Sequence, residues 1–204
     1  LSFNGGKVIE VKTGKVFYEQ ALPPDMMPLL YQRSQEAGLT ILSYNGKYIL
    51  TENAEDKYVK YESFLTKMKI KETDNFLRDL QLPADKCLIV GEPEDLVPLE
   101  EKLRQEMGSR INVYRSEAFY LEVVPKGIDK AASLQRLLER VYIKQEEVIA
   151  IGDGFNDLTM IQFAGLGVAM ANAQPPVKAN ADEVTTYTND EDGVAHFIED
   201  LMKA

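Results

Sequence analysis

The sequence predicts an α/β fold: a partial doubly wound parallel core interrupted by an inserted α/β domain that contains an antiparallel sheet. Three observations carry this. Residues 126–204 alternate short apolar runs with helical periods over short links, the pattern of parallel crossovers. Residues 22–124 instead hold direct hairpins, one marked by Asn45-Gly46 between apolar stretches. The texture changes at Pro125-Lys126-Gly127, and a second joint falls near residue 21. The expected division is therefore a core piece over 1–21, the inserted domain over 22–125, and the rest of the core over 126–204.

The elements follow in order. Strands are expected at 8–12 and 15–19 around Thr13-Gly14. A helix starts at Asp25, carries Met26, Leu29, Leu30 and Ala37 on its period, and stops at Gly38. LTILSYNGKYILTE is a hairpin, and helices follow near 54–66 and 73–80. A strand in LPADKCLIVGEP, a helix ending at Gly108 and a hairpin in INVYRSEAFYLEVVP close the insertion, with helices expected on one side of its sheet. Its Glu122 is a candidate for facing a substrate, although alternation alone leaves its face open. Beyond residue 126, a helix with Ala131, Leu134, Leu137, Leu138 and Val141 on its period precedes IKQEEVIAIGD. A helix to about residue 164, the strand GLGVAM, a helix near 175–180, DEVTT and a helix at 193–203 complete the chain.

Composition narrows the partners. Acidic residues outnumber basic ones 33 to 23, a formal net charge of −10, which argues against nonspecific nucleic-acid binding. Hydrophobic content of 45% supports a proper core, and no apolar run approaches membrane-spanning length. One cysteine allows no intrachain disulfide and fits a reducing compartment, so a cytoplasmic protein is expected, monomeric or homodimeric. Cys87, within CLIV, reads as a small buried strand residue. His196 reads as a partly packed helix residue.

The chemistry concentrates in VIAIGDGFNDLTMIQFAG, residues 148–165. Val148–Ile151 suits a strand buried on both faces, and a helical period resumes at Leu158. Asp153, Asn156 and Asp157 therefore sit at a strand-to-helix turn, the edge where open α/β sheets bind ligands. A helix cap needs one such side chain, not three. Two neighbouring carboxylates repel unless a cation or donor lies nearby, and carboxylates flanking an amide suit Mg²⁺. Lys130, 23 residues before Asp153, can reach the same edge. A lysine opening a helix opposes the macrodipole, and an anion held there would account for it. The spacing puts Lys126 and Lys130 on one face of that opening turn, with Asp129 as a cap or supporting partner.

The run GDGFNDLTMIQFAGLGVAMANA, the preceding KGIDKAASL, the opening SFNGG and the closing EDGVAHFIE resemble the haloacid-dehalogenase-like hydrolases. Within them the chain looks like the Cof-type sugar-phosphate phosphatases with a large inserted α/β cap. The resemblance implies a Mg²⁺-dependent phosphatase of small phosphorylated metabolites acting through an aspartyl-phosphate. It implies that Asp153 ligates Mg²⁺, that Asp157 supports the metal shell, and that Lys130 neutralises the phosphoryl group. Asn156 would contact substrate phosphate, with Asn4 and Gly5 on the loop leading toward the cap, near substrate. The insertion would select the leaving group.

One departure limits that reading. The family's D-x-D-G-T/V motif after an apolar strand is not found; Asp190-Glu191-Asp192-Gly193-Val194 has the letters but follows TTYTN, which is no buried strand. Asp190 or Asp192 is read there as a helix cap. The expectation is accordingly that the nucleophile segment is missing from this chain and that the chain alone is inactive. The alternative is a non-enzymatic α/β regulatory or interaction module, or an inactive fragment, keeping a metal or anion site.

Overall fold

A computed structural model describes residues 2–203. The chain is α/β, with a parallel core sheet and an inserted sheet that is mostly antiparallel. It divides into two units, one built from residues 3–8 and 129–203 and the other chiefly from 9–128. A left-handed turn at Phe3–Gly5 leads into a two-stranded ribbon of β1 (Lys7–Ile9) and β2 (Val16–Glu19). Gly14, at φ +71°, sits in the connecting turn.

The inserted unit continues with α1 (Met26–Glu36), β3 (Thr40–Asn45), β4 (Tyr48–Thr51), α2 (Lys57–Thr66) and β5 (Lys69–Glu72). It then adds α3 (Phe76–Asp79), β6 (Cys87–Val90), α4 (Pro93–Met107), β7 (Ile111–Glu117) and β8 (Tyr120–Pro125). Six strands pair in the order β5-β4-β3-β6-β8-β7. All neighbours are antiparallel except β4 and β5, which run parallel because α2 carries the chain back across the sheet. Strand β5 is absent from the sequence reading: KIKE holds one apolar residue, too few for a strand signal. It lies at the sheet edge, where lysines discourage pairing with another chain.

Helices cover both faces of this sheet, not one. Leu22, Met27, Leu30, Phe76, Leu96 and Leu103 pack on Ile41, Ile89 and Leu121, bringing α1, α3 and α4 to one face. Leu42, Leu88, Val90 and Tyr120 alternate onto the other face and pack with Val59 of α2. Apolar residues at consecutive strand positions demand cover on both sides. Cys87 is fully buried, and burial pushes its thiol up, away from nucleophilic use. Glu122 shares its face with Tyr120 and is itself buried, its carboxylate 2.8 Å from Lys86 Nζ and accepting from Ser116 Oγ at 3.1 Å. It is closed within the unit.

The core unit resumes with α5 (Lys130–Val141), β9 (Ile149–Gly152), α6 (Leu158–Phe163), β10 (Leu166–Ala169), α7 (Pro175–Lys178), β11 (Glu183–Val184) and α8 (Gly193–Leu201). Strands β9, β10 and β11 are parallel, with β10 central and α6 and α7 as crossovers. Ile161, Ala169, Met170, Ala173 and Val177 form the apolar centre. The strand expected to be buried on both faces is not: Ile149 is 42% exposed. Among the described residues β9 has a neighbour on one side only, so its first residue lies at a sheet edge. Asp192 precedes α8 with φ 55° but makes no capping bond; Thr188 and Glu191 cap the preceding turn instead.

Lys86 and Glu122 have side chains only 12% and 9% exposed, so removing one partner strands a buried charge. Lys86→Met is expected to destabilise the protein by about 3 kcal/mol in urea unfolding, and Lys86→Met/Glu122→Leu to recover most of that loss.

Candidate active site

Residues 152–157 turn from β9 into α6 at the carboxyl end of the parallel sheet. Asp157, 5% exposed, folds back over this turn. Its Oδ2 accepts the backbone N–H of Asp153 at 3.0 Å and of Gly154 at 3.1 Å. Its Oδ1 pairs with the Lys130 ammonium. The close approach needs a glycine, since a Cβ on residue 152 would stand 2.4 Å from the Asp157 Cβ. A carboxylate clasping two amides and one ammonium is a satisfied buried charge.

Lys130 is the first residue of α5, and Asp129 supplies the cap by accepting the Ala132 N–H at 2.9 Å. The lysine that opposes the helix dipole is thus offset by a full carboxylate. Lys126 does not share its face: α5 starts four residues later, and Lys126 Nζ donates to the Gly108 carbonyl at 2.7 Å. Gly5, at φ +95°, abuts the same helix, its carbonyl accepting from Ser133 Oγ at 2.9 Å. A Cβ there would lie 1.8 Å from that hydroxyl oxygen, so glycine is required for contact as well as conformation. Asn4, at φ 55°, adopts the left-handed conformation that asparagine tolerates.

The structure therefore brings Lys130, Asp153 and Asp157 together and ties Gly5 to Ser133, one helical turn along from Lys130. Asn156 lies within the same turn, partly exposed. Asp153 engages one oxygen, with Asn172 Nδ2 donating to its Oδ2 at 3.1 Å. Sequence reasoning passed over Asn172, although it lies in the quoted run GLGVAMANA, just past the carboxyl end of β10. Adjacent parallel strands put residues that follow their carboxyl ends at one edge, which is the signal that would have found it. His196 packs on Tyr187, with ring centroids 4.6 Å apart and ring planes tilted by 40°. Among the described residues, no group of three or more His, Cys, Asp or Glu side chains is arranged to hold a metal ion. Nor is any helix there long and apolar enough to cross a membrane.

Residues 1–198 match the family described as haloacid dehalogenase-like hydrolase. The Bacillus subtilis protein called "Putative phosphatase YxeH" is 32% identical over 207 residues, spanning 100% of this chain and 76% of its own. The 5-amino-6-(5-phospho-D-ribitylamino)uracil phosphatase YitU of Bacillus subtilis is 34% identical over 193 residues, covering 91% and 68%. A crystal structure of a haloacid dehalogenase-like hydrolase from Bacteroides thetaiotaomicron superposes with a TM-score of 0.91 at 54% identity, covering 98% of this chain and 75% of that one. These matches correct the expectation of a chain missing its nucleophile segment and inactive by itself. Similarity runs along essentially all of its length, and the clustered groups are held by bonds internal to it. An inactive fragment is not the description they support.

Asp157→Ala leaves two amides and one ammonium without their acceptor. It is expected to lower stability by about 2–3 kcal/mol in urea unfolding, with Asp157→Asn costing less because one acceptor oxygen remains.

Proposed function

Since the chain belongs to the haloacid dehalogenase-like hydrolases, we propose that it is a Mg²⁺-dependent phosphatase of small phosphorylated metabolites, sugar phosphates foremost. The observation that carries this is the Asp157 carboxylate at the carboxyl end of β9, which holds the Lys130 ammonium and the backbone amides of Asp153 and Gly154 at one turn. Phosphatase chemistry on small phosphorylated substrates is the family's, and the divalent metal comes with it. YitU's name specifies a phosphate ester on a ribityl chain, which supports a polyol or sugar phosphate here. In this reading residues 22–125 form the cap that selects the leaving group, between core pieces 1–21 and 126–204. The protein works in the cytoplasm, as a monomer or homodimer.

The donors suit a hard cation in part. Asp153 has Oδ2 engaged by Asn172, leaving Oδ1 as an anionic oxygen ligand. Asp157 has both oxygens committed, so it supports the metal shell by fixing the Asp153 backbone. Mg²⁺, when bound, supplies electrostatic stabilisation of the transferring phosphoryl group. Lys130 neutralises phosphoryl charge while Asp157 holds its ammonium in place. The Asn156 amide donates to a phosphoryl oxygen, and Asn4 and Gly5 shape the approach beside α5. Turnover is read as passing through an aspartyl-phosphate that water hydrolyses; none of the clustered carboxylates is assigned as that nucleophile.

The test is steady-state hydrolysis of p-nitrophenyl phosphate and a panel of phosphorylated metabolites by the full-length protein. Asp153→Ala and Lys130→Ala are each expected to lower kcat/KM by about 10²-fold or more, and chelation of Mg²⁺ to abolish turnover. Unchanged Mg²⁺-dependent turnover in Asp153→Ala would refute the assignment.

A further inference from the structure

Asp153 lies on a turn, is partly exposed, and has two rotatable bonds between backbone and carboxylate. Left to itself, that carboxylate would sample several rotamers. The structure contains a device that fixes it. Asn172 Nδ2 donates to Asp153 Oδ2 at 3.1 Å, while Asn172 Oδ1 accepts the backbone N–H of Asn189 at 3.1 Å. A backbone N–H can only donate, so it fixes which end of the amide is oxygen and turns the NH₂ toward Asp153. Flipping the amide would lose both bonds.

The loop bearing Asn172 is fastened on the same two sides. Toward β9, Met170 N–H donates to the Gly152 carbonyl at 2.9 Å and Gln174 N–H to the Asp153 carbonyl at 3.2 Å. Toward the end of the chain, Ala171 N–H donates to Thr185 Oγ1 at 2.9 Å, and that hydroxyl donates to the Tyr187 carbonyl at 2.6 Å. Asn172 thus joins the β9 turn to the segment between β11 and α8 through one oriented amide. We infer that Asn172 is a positioning residue: it occupies one Asp153 oxygen and holds the carboxylate so that the other faces the metal. A partner of this kind raises metal affinity without touching metal or substrate.

The inference rests on the reading of Asp153 as a metal ligand, and the experiment separates the two. In the full-length protein, Asn172→Ala is expected to raise the half-saturating Mg²⁺ concentration for p-nitrophenyl phosphate hydrolysis by about 10–100-fold. Mn²⁺ binding followed by electron paramagnetic resonance should weaken in the same proportion. Saturating Mg²⁺ should restore most of kcat, with KM for the ester little changed. A merely structural role would not produce that rescue.

Asn189→Pro provides a second route, because it removes the N–H that orients the Asn172 amide and leaves Asn172 itself in place. Residue 189 opens a helical turn after Thr188 at φ −77°, ψ 172°, a setting that accepts proline. It should shift both readouts in the same direction by a smaller factor, and it decides the matter if Asn172→Ala fails to fold. Asp153→Ala is the control. If it abolishes Mn²⁺ binding while a folded Asn172→Ala binds like wild type, the positioning role is overturned alone. If Asp153→Ala itself binds Mn²⁺ normally, the metal-ligand reading falls and this inference falls with it.

Discussion

The Asp157 carboxylate is almost wholly removed from water, and a buried charge persists only where its lone pairs are taken. Two go to the amides of Asp153 and Gly154 and one to the Lys130 ammonium. That requirement shapes the rest of the core unit. Residue 152 must be glycine to let the side chain in, and α5 must begin with its lysine pointing at the β9 turn. Asp129, just before that lysine, caps α5 by accepting the Ala132 N–H. Ser133, one turn on, fixes Gly5 and so the start of the chain's path out of the unit.

A second lysine–carboxylate pair differs from this one in how far solvent reaches it. Lys86 and Glu122 are both close to fully buried, and the spare Glu122 oxygen is taken by Ser116. Nothing remains for a ligand. In the Lys130–Asp157 pair the carboxylate is as buried, but the lysine side chain is 31% exposed. The ammonium keeps donors that solvent, or a phosphoryl oxygen, can accept. The protein uses the same chemistry twice, closing it in the inserted sheet and leaving one side open in the core. At Asp153, one carboxylate oxygen accepts from the Asn172 amide.

Much of this was legible in the chain. Long helices with clear periods, as in α4 and α5, and the hairpin at Asn45-Gly46 follow from local pattern, since local contacts decide them. The four chemical residues Lys130, Asp153, Asn156 and Asp157 stood out because their types conflict with a simple helix start or turn. What pattern missed was set by tertiary neighbours. Strand β5 exists because β4 offers it an edge, and α2 crosses to the second face because Leu42, Leu88 and Val90 need cover. Lys126 was paired with Lys130 by spacing, whereas the helix starts only at residue 130. Asn172 was overlooked because its importance lies in two hydrogen bonds to residues 19 and 17 positions away.

The most direct measurement is a crystal structure of the full-length protein with Mg²⁺ and a tetrahedral oxyanion such as tungstate. The account predicts the cation on Asp153 Oδ1 and the anion against the Lys130 ammonium and the Asn156 amide. Asp157 should remain clasped on the 153–154 amides. A cation bound without Asp153, or an anion bound in a site that leaves Lys130 and Asn156 untouched, would contradict it.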